Sequence, residues 1–188
     1  MGGAYETILI NSSLQIKEYG KMIFTVFKYL DKVLPFPLAK AHCDIPCKIY
    51  DPIEAQIAAL TIVRLNDLLE ELISKELDSA GDKAQFGRLI AQKEEHGLKL
   101  KEAIRVIWGD YFKKPQIEAH PDIHEIVHQI MMLASKAKQN VDREASTELL
   151  QMVNNFAEIF WQTKKVATFT ASCPYPPNLE LVYPDLKK

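Results

Sequence analysis

The stretch HCDIPCKIYDPIE, residues 42–54, joins a dense group of metal-binding side chains to the start of a helix. Asp51 can cap a helix, Pro52 suits the first helical position, and Glu54 stands at capping-box spacing from Asp51. Apolar residues then recur at a helical period. The sequence therefore predicts a metal-binding segment over residues 42–50, called the hook below, that leads directly into the first helix of the fold.

Three further segments show the helical period of apolar residues. We expect the second helix over about residues 84–112, the third from Pro121 and the fourth from near Asp142. Their short connections predict an all-α, up-and-down four-helix bundle over residues 51–165, and no convincing alternating strand is present. The tail over residues 166–188 contains four prolines, so we expect it to be irregular.

Two of the three cysteines and a histidine lie together in the hook. The Cys43 thiolate, its own amide and the nitrogens of His42 can reach one metal ion through small chelate rings, and Cys47 adds a second sulfur. Soft sulfur with nitrogen in a square-planar set suits nickel or copper, although a Cys-x-x-x-Cys pair alone is also half of a zinc site. Three cysteines cannot all pair, so in a reducing compartment Cys43 and Cys47 are expected to bind metal instead of forming a disulfide.

The composition is that of one ordinary domain, with or without extensions. The chain has 188 residues, 47% hydrophobic and 26% charged, and its net charge of −2 does not indicate a nucleic-acid-binding protein. No apolar run approaches the roughly 18–20 residues needed to cross a membrane. Residues 39–41 (Ala-Lys-Ala) look like a signal-cleavage site, but Lys28, Asp31 and Lys32 interrupt the apolar stretch before it. We therefore expect a cytoplasmic protein.

The hook resembles the signature of the nickel superoxide dismutase family, His-Cys-Asp-x-Pro-Cys-Gly-x-Tyr, which is usually followed by Asp-Pro. This chain has that pattern over residues 42–52, apart from Lys48 at the glycine. Two further blocks, WGDYFKKP at 108–115 and IFWQTKK at 159–165, also fit the family, so the likeness extends over about residues 42–165. The resemblance implies four-helix bundles that assemble as a homohexamer and disproportionate superoxide with one nickel ion per subunit.

The resemblance also implies a ligand set. Cys43 and Cys47 would supply two thiolates, Cys43 its backbone nitrogen, and His42 both an N-terminal amine and its imidazole. Within the full chain the His42 nitrogen is a peptide amide, so a maturation peptidase must cut the Ala41–His42 bond. We therefore expect residues 1–41 to be a propeptide and the uncut chain to be inactive.

In the resembled family, tyrosines line the path of the substrate, which implies that role for Tyr50 and Tyr111. Taken alone, each of them could simply pack with its hydroxyl at the surface. An anionic substrate needs local positive potential, and Lys113 is the first candidate because it lies inside a matching block. The other candidate lysines, each more typical of a solvated surface residue when taken alone, are Lys48, Lys101 and Lys114.

Three positions depart from the family. Relatives carry a glutamate and an arginine that orient the histidine ring, and ungapped counting places Ala58 and His96 there. Ala58 has no side-chain hydrogen bond to offer, whereas His96 can hold the His42 ring or, alternatively, be a core histidine bonded to a neighbouring helix. If Lys48 needs a positive φ, it costs roughly 1–2 kcal/mol relative to glycine. These departures leave an alternative function, a non-catalytic metal-binding helical protein derived from this family.

A competing motif, His-Glu-x-x-His over residues 124–128, matches the zinc-protease pattern. On a helix His124 and His128 share a face, and Glu125 can serve as a general base. The motif is short, no third ligand is evident and no sheet is expected, so a row of solvated or partly buried histidines is the default. Cys173, in the proline-rich tail, is expected to be an exposed or packed thiol without a metal.

Overall fold

The computed structural model describes residues 47–186, so the expected propeptide lies outside the described range. Five helices are present in this range, with a π-helical turn between the second and third: α1 (Ile53–Ile73), α2 (Ala80–Val106), the turn Ile107–Tyr111, α3 (Lys114–Ala119), α4 (Ile123–Gln139) and α5 (Arg143–Thr163). Two strands follow, β1 (Thr168–Ser172) and β2 (Glu180–Pro184). None of these helices is long and apolar enough to cross a membrane.

The four long helices form a bundle. Helix α1 packs against α2 and α5, and α4 packs against the same two helices. Each long helix therefore has two neighbours, as an up-and-down bundle with short connections requires. The predicted all-α four-helix bundle is confirmed. Its core contains aliphatic and aromatic side chains from all four helices, among them Ile62, Leu100, Ile130, Phe156 and Phe160.

Local capping chemistry sets where the helices begin. Asp51 accepts a hydrogen bond from the Ile53 amide at 2.9 Å, the capping role predicted for it. Asp142, predicted only to lie near the start of a helix, likewise accepts one from the Ala145 amide at 2.9 Å. Helix α2 begins at Ala80, earlier than predicted, because Ser79 and Asp82 form a reciprocal capping box. Helix α3 was not predicted, since a helix of 6 residues is too short to leave a periodic pattern.

The prediction of a tail without strands was wrong. Strands β1 and β2 pair as an antiparallel hairpin in which Ala171 lies opposite Leu181. The prolines do not prevent this pairing, because three lie in the turn and Pro184 ends β2, a position where proline is tolerated. Leu181 and Cys173 are buried where the hairpin meets the bundle, so the Cys173 thiol is packed and not exposed.

Side-chain amides from the bundle pair with the outer edge of β2 in place of a third strand. Asn154, on α5, accepts a hydrogen bond from the Val182 amide at 3.3 Å and donates one to the Glu180 carbonyl at 2.9 Å. Gln56, on α1, is 1% exposed, and its Nε2 donates to the Val182 carbonyl and to Asn154 Oδ1, both at 2.9 Å. These bonds of Gln56 and Asn154, called the amide clamp, attach the hairpin to two helices.

A buried lysine on α2 forms hydrogen bonds with the elements that pack around it. Lys93 is fully buried on α2, and its Nζ donates hydrogen bonds to Asn66 Oδ1, at 3.0 Å, and to the Asn140 carbonyl. Asn66, on α1, in turn donates to Ser146 and to the Asp142 carbonyl. Burial lowers the pKa of Lys93, because the protonated amine loses hydration that these oxygens only partly replace.

Replacing Asn154 with alanine should lower the free energy of unfolding by about 1–3 kcal/mol, because the Glu180 carbonyl and the Val182 amide lose their partner. Urea denaturation measures the change. Asn155→Ala is the matched control, since Asn155 is the exposed neighbour on the same helix. Equal stability of the two variants would contradict the amide clamp.

Lys93→Met should change how stability depends on pH. Because the folded-state pKa of Lys93 lies below the unfolded value of 10.5, the unfolded chain binds more protons between those two values. The wild-type protein should therefore gain stability relative to Lys93→Met as pH rises through that window, by at most about 1.4 kcal/mol per pH unit. Urea titrations at several pH values measure this, with Lys83→Met, an exposed lysine on the same helix, as control. A constant difference across the window would refute it.

Candidate functional site

The hook is only partly within the described residues. His42 and Cys43 lie outside them, whereas Cys47 is the first described residue and is exposed and free of a disulfide. An exposed, unpaired cysteine suits a thiolate ligand for a soft metal ion. Within residues 47–186 no cluster of three or more His, Cys, Asp or Glu side chains could hold a metal. The described part of the chain therefore contributes one of the predicted metal ligands, Cys47.

Lys48 adopts the backbone conformation that the family glycine suggested. Its φ is 56°, in the left-handed region that disfavours residues with a Cβ. The expected cost of a lysine there, roughly 1–2 kcal/mol relative to glycine, therefore applies. The turn at Lys48 sends the chain from Cys47 towards Tyr50 and the start of α1.

Tyr50 and Tyr111 lie side by side, with ring centroids 5.8 Å apart. Tyr111 ends the π-helical turn, and its ring packs on Phe160 of α5 at 4.8 Å. Its hydroxyl lies 2.7 Å from Thr163 Oγ1, and Thr163 donates its own proton to the Phe160 carbonyl at 2.6 Å. Because a threonine hydroxyl has one proton, Tyr111 must be the donor to Thr163. The sequence placed both tyrosines at the site, and the structure brings them together.

Lys164 lies over the same aromatic group, a position that the sequence did not predict. Its Nζ is 4.6 Å from the centroid of the Tyr111 ring and 5.0 Å from that of Phe160, within cation–π range. The only sequence signal was its place in the block 159–165, which says nothing about proximity to Tyr111. The contact depends on the π-helical turn and the end of α5 meeting in space.

Three of the four lysines that the sequence favoured have other partners. Lys113 donates to the Gly109 carbonyl at 2.9 Å, and Lys114 lies 3.8 Å from Glu118. Lys101 donates to Ser135 on α4, and burial lowers its pKa. None of these three contacts links its lysine to the tyrosine pair, Tyr50 and Tyr111.

Ala58 and His96, two of the three departures from the family pattern, line the same cavity. It has a volume of about 220 Å³ and lies between α1 and α2. The buried Nδ1 of His96 has no hydrogen-bond partner among residues 47–186, so the alternative of a satisfied core histidine is not supported through that atom. Burial, assisted by the charge of Lys99, lowers the pKa of His96, which favours the neutral form of the ring. The residues lining the cavity are Ile53, Glu54, Ile57, Ala58, His96 and Lys99.

The zinc-protease motif does not form a metal site. His124 Nδ1 accepts a hydrogen bond from Trp108 Nε1 at 3.0 Å. A neutral histidine that accepts at Nδ1 carries its proton at Nε2, so that nitrogen has no lone pair for a metal. The described residues contain no three-ligand cluster around it. His124 instead packs edge-on against the Trp108 indole.

Comparison with known proteins finds one family model and several relatives that match the whole bundle. The family model described as nickel-containing superoxide dismutase matches residues 37–164. The chain is 32% identical over 126 residues to a superoxide dismutase [Ni] from Streptomyces seoulensis, covering 66% of this chain and 89% of that protein. It is 31% identical over 132 residues to the Streptomyces coelicolor enzyme of the same name, covering 70% of this chain and 94% of that one.

A solved structure of native nickel superoxide dismutase superposes with a TM-score of 0.58 at 31% identity, covering 66% of this chain and 99% of that one. The family match ends at residue 164, before the hairpin begins at Thr168.

Proposed function

Because this chain belongs to the nickel-containing superoxide dismutase family, we propose that it disproportionates superoxide to oxygen and hydrogen peroxide with one nickel ion per subunit. The match over residues 37–164 carries this proposal, since it includes the hook and all four long helices. Two superoxide anions and two protons yield one molecule of each product. Nickel held by the Cys43 and Cys47 thiolates would supply the Ni(II)/Ni(III) couple that this reaction needs.

Cys43 and Cys47 are the thiolate ligands in this proposal, with the Cys43 backbone nitrogen and His42 completing the set. The exposed thiol of Cys47 supports it, and so does the left-handed turn at Lys48, the position of the family glycine. His42 acts through its terminal amine and its imidazole, which requires removal of residues 1–41 by a maturation peptidase. Tyr50 and Tyr111 border the substrate's approach to the hook, and Lys113 adds positive charge from the adjacent segment.

A protein whose first residue is His42 should bind about one nickel ion per chain and consume superoxide, whereas longer forms should not. Replacing residues 36–41 with a factor Xa recognition sequence lets one sample be assayed before and after cutting at His42. Intact mass, nickel content and superoxide consumption are measured on both.

The matched control places the recognition sequence one residue earlier, at residues 35–40. Its product therefore begins at Ala41 and lacks the histidine amine. Activity in the uncut sample or in the Ala41 product would refute the requirement for a terminal His42. One nickel ion per chain without superoxide consumption after the correct cut would support the alternative, a non-catalytic metal-binding protein.

His96 is proposed as the residue that positions the His42 imidazole in place of the family glutamate and arginine. Its ring, whose Nδ1 has no hydrogen-bond partner among residues 47–186, borders the cavity that the small side chain of Ala58 leaves open. A ring nitrogen in such a cavity can form one hydrogen bond with a second imidazole, as donor or acceptor according to its tautomer. Hydrogen bonds of this kind fix the orientation of a metal-bound histidine.

His96→Phe should reduce superoxide consumption about 10-fold or more, as is typical when a partner of a metal-binding histidine is lost. It should also alter the nitrogen coupling in the electron paramagnetic resonance spectrum of the oxidised nickel centre. His128→Phe, at an exposed position, is the control, and His96→Gln should restore part of both properties. A wild-type spectrum in His96→Phe would show that His96 does not position the His42 ring.

Assembly as a homohexamer and a cytoplasmic location complete the proposal. Support for assembly comes from three isoleucines near the hook that remain solvent-exposed, Ile49 at 80% and Ile53 and Ile57 at 39% each. Apolar side chains grouped in this way are typical of a surface that another subunit covers.

A further inference from the structure

Lys164 has no charge-neutralising partner in the part of the chain that the structure describes. Among residues 47–186 its Nζ forms no ion pair with a carboxylate, and its described contacts are the faces of Tyr111 and Phe160. The side chain is exposed. An aromatic face attracts the lysine ammonium group but leaves N–H groups of that ammonium free to bind an anion. Lys164 is therefore an available positive charge held at a fixed place.

Tyr111 cannot bind an anion as a hydrogen-bond donor while it keeps its contact with Thr163. Its single hydroxyl proton is donated to Thr163 Oγ1, whose own proton goes to the Phe160 carbonyl. The Tyr111 oxygen can still accept a hydrogen bond, but an anion at that oxygen would be repelled. Attraction of an anion to this side of the tyrosine pair must therefore come from another group, and Lys164 is in contact with it.

The aromatic contact lies close to the hook. Tyr50 is in contact with Tyr111 and follows Cys47 by three residues, a span of at most about 11 Å in extended chain. Salt screens the field of an exposed charge beyond about 30 Å at 0.01 M salt and beyond about 8 Å at physiological salt. The net charge of the whole chain is −2, so a local cation is needed to draw in an anionic substrate.

We propose that Lys164 guides the superoxide anion to the tyrosine pair and so to the hook. This inference rests on the proposed function for its substrate, but the charge and its contacts do not depend on nickel. Lys164 is a guiding residue in this proposal and takes no part in electron transfer.

The first test measures the second-order rate constant for superoxide consumption of the mature nickel protein as a function of ionic strength. Lys164→Met should lower the rate about threefold to tenfold at about 0.01 M salt and flatten its salt dependence. Lys164→Arg, which keeps the charge over the ring, should stay within about twofold of the wild-type rate.

Lys75→Met is the control for loss of one positive charge. Lys75 is exposed and follows α1, whose 21 residues separate it by about 30 Å from the hook end of the helix. A purely structural role for Lys164 would change the rate without changing its salt dependence. A wild-type salt dependence in Lys164→Met therefore overturns the proposal.

The second test needs neither nickel nor activity. The full chain carries 3-fluorotyrosine, and its fluorine resonances are followed as sodium azide is added, with sodium gluconate keeping the ionic strength constant. Azide is a small monoanion, so the Tyr111 resonance, assigned with Tyr111→Phe, should shift in wild type and Lys164→Arg. It should not shift in Lys164→Met.

The two tests separate failure of this inference from failure of the proposed function. No superoxide consumption by the mature wild-type protein refutes the proposed function, while the azide titration still decides whether Lys164 binds an anion. An azide-dependent shift that persists in Lys164→Met, or no shift in wild type, overturns the role of Lys164.

Discussion

The packing of α1 between α2 and α5 is the constraint on which the site depends. The hook joins α1 through a few residues, so the direction of this helix determines where Cys47 and Tyr50 leave the bundle. One side of α1 contributes Ala58 to the His96 cavity, and another contributes Gln56 to the amide clamp. The hydrophobic core, the cavity and the hairpin contact therefore all restrain the same helix.

Much of the fold could be predicted from sequence because the long helices carry a clear apolar period and the first of them a recognisable cap at Asp51. The hairpin could not be predicted. Its strands are short, and β2 is stabilised by Gln56 and Asn154, residues far from it in sequence, whose role becomes visible only after the helices have packed. Propensity rules read the prolines as strand breakers, although they lie in a turn and at a strand end.

In the candidate site, too, some features could be predicted from the sequence and others could not. The sequence raised a left-handed turn at Lys48 only as a condition, because the family signature has glycine there, and the structure has that turn. The shared cavity of Ala58 and His96 was anticipated only as two separate departures, since their sequence positions do not show that they face each other across two helices. Lys164 was missed altogether, because the sequence gives no measure of its distance from the Tyr111 ring.

The amide clamp restricts how sequences related to this one can diverge. A chain that ends with α5 has no strand edge at that surface, so positions 56 and 154 are free to vary independently. In a chain that carries the hairpin, both positions must supply amides of suitable length, because losing either one leaves backbone groups of β2 unpaired. Covariation between residues 56 and 154 should therefore appear only among sequences that carry the C-terminal hairpin.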